Sequence, residues 1–250
     1  MTGITLETGL QSCYKRLMGR VVIITGSTRG IGYQTAIKFL AGGDRVVIFC
    51  RHRRHAGSAA RRLRAYGAEK DILALAGDVR KKNDAERIIG LCLKRFGRLD
   101  VLVNNAGVFI YRTIDETHER QWDNVIGTNL KGTFLFTRQA VPVMKRQKSG
   151  IIINISSALG VEAEGKMSAY CASKFGVMGL TQAVADETMG SGILVYAVLP
   201  WAVNTTLAAG SGLELDPSQL LPPEYVAGRI YDAARGRKKS GSLFEVYSQP

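Results

Sequence analysis

Apolar residues recur along the chain in two alternating rhythms. Short runs that are almost wholly apolar or β-branched read as strands: RVVIIT (20–25), RVVIFC (45–50), ILALA (72–76), LDVLVNN (99–105), GIIINIS (150–156), ILVYAVL (193–199) and LFEVY (243–247). Between them lie longer stretches with helical periodicity. These are GYQTAIKFLAG from Gly32, NDAERIIGLCLKRFG from Asn83, the long ERQWDNVIGTNLKGTFLFTRQAVPVMK from Glu119, and SAYCASKFGVMGLTQAVADET from Ser168. Strands that are apolar throughout and separated by helices pair in parallel and are covered on both faces. The pattern therefore predicts an α/β protein, a doubly wound parallel sheet of about seven strands in three αβα layers, binding ligands at the carboxyl ends of its strands.

With 250 residues, 46% hydrophobic composition and 6 prolines, the chain fits a single domain over residues 20–250, preceded by an N-terminal extension of residues 1–19. Its apolar runs fall far short of the roughly 20 residues a spanning helix needs. The opening MTGITLETGLQSCYKRLMGR has no signal-peptide core, so a cytoplasmic protein without a membrane partner is expected. Cys13, Cys50, Cys92 and Cys171 form no C-x-x-C pair, which suits reduced thiols. His52 and His55 could share a metal only inside an arginine-rich segment that would repel one, so no metal site is expected.

The net charge of +13 changes the picture, because such an excess attracts anionic partners. Its densest patch holds Arg51, Arg53, Arg54, Arg61, Arg62 and Arg64 without interleaved aromatic residues, so it reads as a solvated helix face and no nucleic-acid partner is expected. The first strand, by contrast, runs straight into TGSTRGIG, with Gly26, Gly30 and Gly32 between strand and apolar helix. Glycine permits the tight turn and the close approach of a phosphate, and free N–H groups at the helix start attract its charge. This is a nucleotide-binding loop, and it makes the fold Rossmann-type.

The G-x-x-x-G-x-G spacing, together with Tyr170 four residues before Lys174 in SAYCASKF, resembles the short-chain dehydrogenase/reductase family. Further motifs agree: GDV at 77–79, NNAG at 104–107, Asn129 in GTNLKG, and Ser157 thirteen residues before Tyr170. The resemblance spans about residues 20–247. It implies that Tyr170 is the general acid protonating a carbonyl oxygen as hydride arrives from a nicotinamide. The charge of Lys174, and of the oxidised nicotinamide, would lower the phenol's pKa; Lys174 would also bind the nicotinamide ribose. Ser157 would hold the reacting oxygen, and Asn129 would complete a proton relay through water to Lys174. Cofactor contacts are implied for Gly26, Ser27, Thr28, Arg29, Gly30, Ile31, Gly32, Arg51, Asp78, Val79, Asn105, Ala106, Gly107, Tyr170, Lys174, Pro200, Val203 and Thr205. Taken singly, the serine could be a cap, the tyrosine and lysine ordinary helical residues, and the asparagine a backbone partner; their order argues otherwise.

At the end of the second strand Cys50 stands where NAD-binding members place an acid, and Arg51 follows. A guanidinium fits the 2′-phosphate, and Arg29 adds a second cation, so NADP(H) is expected over NAD(H). Two departures from the family pattern stand out. PWAVNT puts Trp201 in place of the usual glycine after Pro200, to reshape the pocket, crowd the cofactor or pack under a lid; that lid, about residues 206–224, is short. Phe134, Phe136, Val177 and Met178 offer an apolar surface for a homodimer or homotetramer, or serve the domain's own core. The resemblance is nearest to 3-oxoacyl-acyl-carrier-protein reductases. Lys145, Arg146 and Lys148 could meet an acidic carrier protein, although Ser191 stands where carrier-using relatives often place arginine. The alternatives are reduction of a free small ketone, aldehyde or quinone, and a cofactor-binding regulator without turnover.

Overall fold

The structure is a computed structural model that describes residues 19–209 and 216–247. Cys13, nearly all of the N-terminal extension, and residues 210–215 of the expected lid lie outside the described residues.

Seven strands form one sheet: β1 Val21–Thr25, β2 Arg45–Cys50, β3 Ile72–Ala76, β4 Val101–Asn104, β5 Gly150–Ile155, β6 Ile193–Pro200 and β7 Leu243–Val246. Their order is β3-β2-β1-β4-β5-β6-β7, with every neighbouring pair parallel. The helices are α1 Gly30–Ala41, α2 Arg53–Leu63, α3 Lys82–Phe96, α4 Glu119–Val125, α5 Gly132–Gln147, α6 Ser168–Glu187 and α7 Pro223–Ala233, with a single turn at Thr206–Ala209. No helix among the described residues is long and apolar enough to cross a membrane.

Because successive strand side chains point to opposite faces, each of β1 to β6 feeds two cores, while the edge strand β7 feeds one. Val22 and Ile24 of β1 join Phe39 and Leu40 of α1 and Val226 and Ile230 of α7. Val21 and Ile23 join Ile88 and Cys92 of α3 and Phe136 and Met144 of α5 on the other face. This two-sided burial is why the strands contain almost no alternation of apolar and polar residues. On α2 the alanines Ala56 and Ala59 and Leu63 face inward, while Arg53, Arg54, Arg61 and Arg64 are exposed, the solvated face expected of that patch.

Two expectations change. The helical stretch from Glu119 is broken by a π-helical turn, Ile126–Lys131, between α4 and α5. A π turn carries one extra residue and shifts the helix that follows, and here it contains the buried Asn129. Of the proposed self-association surface, Phe136 stacks on Phe49 at 5.1 Å inside the core, and Val177 and Met178 are buried as well. Only Phe134 is exposed, together with Phe175 of α6. The apolar period of a helix marks its buried stripe whether chain or partner covers it, which is why the core reading holds for three of the four.

Gly32 in the first turn of α1 is buried against the turn that follows β4. A Cβ there would stand 2.5 Å from Asn105 Nδ2 and 2.7 Å from the Gly26 carbonyl oxygen. Gly32→Ala should therefore destabilise the fold by about 1–3 kcal/mol, seen as a lower urea midpoint at unchanged slope. An unchanged midpoint would show that the packing of α1 on this turn yields easily.

Candidate active site

The sheet changes direction between β1 and β4, which both begin their order from the centre, and the crevice at their carboxyl ends is where a doubly wound sheet binds ligands. Thr25 closes β1. Its Oγ1 accepts the backbone N–H groups of Asn105 (2.9 Å) and Ala106 (2.8 Å). Asn105 Nδ2 donates in return to the carbonyls of Thr25 (2.9 Å) and Gly26 (3.1 Å). The glycine loop and the NNAG turn are thereby fixed side by side. Gly26 adopts φ +64°, and a Cβ on it would lie 2.9 Å from Ala106 Cα, so glycine is required there.

A cleft of about 580 Å³ opens along this edge. Gly26, Thr28, Arg29, Gly30 and Ile31 line it, as do Arg51, Asp78, Val79, Asn105, Ala106, Gly107, Pro200, Val203 and Thr205. Ser27 and Gly32 do not. Ser27 is wholly buried, donating to the Ile24 carbonyl (2.7 Å) and accepting from Phe49 N (3.0 Å), which places its side chain in the β1–β2 join. The fit to a dinucleotide rests on two observations. No side chain caps the start of α1 and no acidic residue stands in its first turn, so its N–H groups are available to a phosphate. Around the β2 end, Arg29 and Arg51 are joined by His52 and His55, whose rings meet at 5.3 Å. Asp78 is held by Arg80 at 2.6 Å, which keeps its carboxyl below the usual range, and Arg80 reaches on to Asn124 of α4 at 3.0 Å.

Ser157 follows β5 and caps a short turn, its Oγ accepting from Leu159 N at 3.2 Å. Tyr170 and Lys174 stand one turn apart on α6 and, with Ser157, line the floor of the cleft. Lys174 Nζ donates to the Ile155 carbonyl at 2.8 Å and lies 5.4 Å from the centre of the Tyr170 ring. Burial pushes the Tyr170 phenol up to about 12, against a smaller downward pull from its hydrogen bond with Ser157. Burial pushes Lys174 down to about 8. In this site the loss of water raises the tyrosine by more than the Ser157 hydrogen bond lowers it.

Asn129 is brought to the same place, but its side chain is occupied. Oδ1 accepts from Val108 N (2.8 Å), and Nδ2 donates to the Val108 carbonyl (3.0 Å) and to Ser173 Oγ (3.0 Å). It ties the loop after β4 to α6. Gly107 sits between it and the lysine: a Cβ there would meet Asn129 Oδ1 at 3.5 Å and Lys174 Nζ at 4.0 Å. Trp201 lines the cleft and is 45% exposed, its ring 6.3 Å from that of Tyr247. Sequence reasoning missed Phe109, which packs edge-on against Tyr170 at 4.8 Å, and Leu159, Glu164 and Met167. Phe109 follows β4 at its carboxyl end, so the rule for doubly wound sheets could have found it.

A family model for short chain dehydrogenases matches residues 20–215. The chain belongs to that family. It is 35% identical over 204 residues to the 3-oxoacyl-[acyl-carrier-protein] reductase FabG of Staphylococcus aureus, covering 81% of this chain and 82% of that one. Among solved structures, a 3-ketoacyl-(acyl-carrier-protein) reductase from Brucella melitensis complexed with NADH superposes with a TM-score of 0.85 at 28% identity, covering 92% of this chain and 97% of that one. ElxO with NADP bound superposes with a TM-score of 0.84 at 31% identity, with the same shares covered. This short-chain dehydrogenase is accordingly an oxidoreductase acting on alcohol and keto groups, with a fold that binds a nicotinamide cofactor.

The buried lysine of this short-chain dehydrogenase carries a stability signature. Its value falls from 10.5 to about 8 on folding, so between those two pH values the unfolded chain holds more protons and stability rises with pH. Below about pH 8 the cost of keeping the ammonium buried is felt in full, up to about 3 kcal/mol. Lys174→Met should therefore gain stability over the wild type near neutral pH, less whatever the lost bond to Ile155 costs, and that gain should shrink as pH rises through this window. Urea denaturation of both proteins across pH would show it, and parallel profiles would refute it.

Proposed function

We propose that the protein is an NADPH-dependent carbonyl reductase in which Tyr170 is the acid, Ser157 positions the reacting oxygen and Lys174 holds the cofactor ribose. The observation that carries this reading is the meeting of Ser157, Tyr170 and Lys174 on the floor of a cleft whose far end is ringed by cations. Held along the glycine loop and by Lys174, a reduced nicotinamide would supply the hydride for the carbonyl carbon. Tyr170 gives its proton to the carbonyl oxygen, making the alcohol. A phenol raised to about 12 is fully protonated at neutral pH, the state an acid in the reducing direction needs. Ser157 donates to the same oxygen and stabilises charge developing on it. Asn129 fixes Val108 and, through Ser173, the helix that carries both Tyr170 and Lys174, so it keeps the floor in register; a water relay from it to Lys174 would run beside Gly107.

The preference for NADPH rests on Arg51 and Arg29 at the cleft wall and on Cys50 where a carboxylate would repel a 2′-phosphate. A carrier-bound 3-oxoacyl substrate is supported by the names of the relatives, and a free carbonyl compound by the cleft wall itself. A homodimer or homotetramer is supported by the exposed Phe134 and Phe175. The regulator reading is disfavoured by the complete set of acid, lysine and serine.

Steady NADPH oxidation with a panel of carbonyl compounds tests the reaction. Tyr170→Phe should lower turnover by at least about a hundredfold while NADPH still binds; a variant that keeps its rate would remove Tyr170 from the acid's role. Arg51→Ala should weaken NADPH about ten- to a hundredfold and spare NADH, the scale of one charge-assisted hydrogen bond. Equal losses in titrations of both cofactors would assign the arginine to folding or general charge.

A further inference from the structure

The cleft is electrically lopsided. Its exposed cations, Arg29 and Arg51, stand at the β2 end, and Lys174 is buried in the floor. Beyond Tyr170 and Ser157 the wall is apolar, formed by Phe109, Leu159, Met167, Trp201 and Leu207, with Glu164 as the charged side chain among them. Among the described residues no cation pairs with Glu164. Two more carboxylates, Glu162 and Glu245, lie near Tyr247. Tyr247, whose ring faces the indole, has its phenol raised by burial and then by the charges of Glu245 and Glu162. Glu164 lies with Glu162 and Lys166 in an exposed stretch, so its charge acts at the open edge of the cleft.

Those features select by chemistry. Aromatic walls at Phe109, Tyr170 and Trp201 gain most from a flat ring that buries against them. An exposed, unpaired carboxylate at the edge of an apolar wall repels an anion and attracts a cation, modestly because water screens it, and the exposed indole can also accept a cation on its face. An acidic carrier protein would have to bring its thioester past the same carboxylates.

We propose that the substrate is a free ketone bearing an apolar ring and no negative charge, and that Glu164 is the side chain that turns anionic carbonyl compounds away. This rests on the reductase reading above. The test uses three aryl ketones of one skeleton, carrying a neutral group, a trimethylammonium or a carboxylate, and an acetoacetyl thioester on an acidic carrier protein, each followed by NADPH oxidation. The neutral and cationic ketones should exceed the other two in kcat/KM by about two- to fivefold, the scale of one exposed charge. Glu164→Gln should cut the cationic-to-anionic ratio several-fold, and Glu164→Lys should invert it. A wild type that prefers the carboxylate or the carrier thioester, or ratios that neither variant moves, would overturn the substrate assignment and leave the reductase intact. NADPH that binds but is oxidised with none of the four would overturn both.

Discussion

The hydroxyl of Thr25 joins the two halves of the sheet at the point where the strand order reverses. It accepts two backbone N–H groups from the turn after β4, and Asn105 answers with two bonds to the end of β1. Parallel strands leave their carboxyl ends open, since the chain departs there for the next helix, and without such a clamp the two loops would be free to separate. Held together, they set the glycine loop against Ala106, leave room for Gly107 beside Lys174, and bring Val108 within reach of Asn129. The floor of the cleft is built outward from this contact.

That floor is costly to build. An ammonium and a phenol are buried side by side, each displaced from its ordinary titration by loss of water. What compensates is local: the Ile155 carbonyl takes the lysine's proton in a hydrogen bond, Ser156 donates to the Lys174 carbonyl at 3.0 Å, and Ser173 donates to that of Tyr170 at 2.7 Å. The small residues around Tyr170 in SAYCASKF thus have a purpose beyond leaving space. They let α6 lie close to the β5 end, where these bonds are within reach. Functional sites often carry such a cost, and the two-sided apolar core beneath this one supplies the surplus that sustains it.

Charge follows the same division of labour. The arginines of α2 lie in water along its outer face, where they are screened and add little to stability. Among the described arginines only Arg51, at the turn after β2, and Arg29 of the glycine loop line the cleft, where a cation facing a low-dielectric wall counts for more than one on the solvated face. Glu164, on the apolar wall at the other end, owes nothing to the total of +13.

By itself the sequence determined the class of fold, the succession of strands and helices, and the spacing of Tyr170, Lys174 and Ser157. Each of these is a local or periodic property: an apolar strand needs two covering layers, and residues one helical turn apart share a face. Tertiary structure alone decided which side chains the cleft receives. Ser27 and Gly32 belong to the same loop as Gly26 yet turn into the join between β1, β2 and α1, and Phe136, Val177 and Met178 face inward although their period would equally suit an interface. Phe109, Glu164 and Trp201 come from three separate loops with no common spacing, and they meet only because parallel strands gather their carboxyl-end loops along one edge of the sheet. Periodicity records which way a residue faces within its own element; what it faces depends on contacts between segments far apart in the chain, which no local pattern encodes.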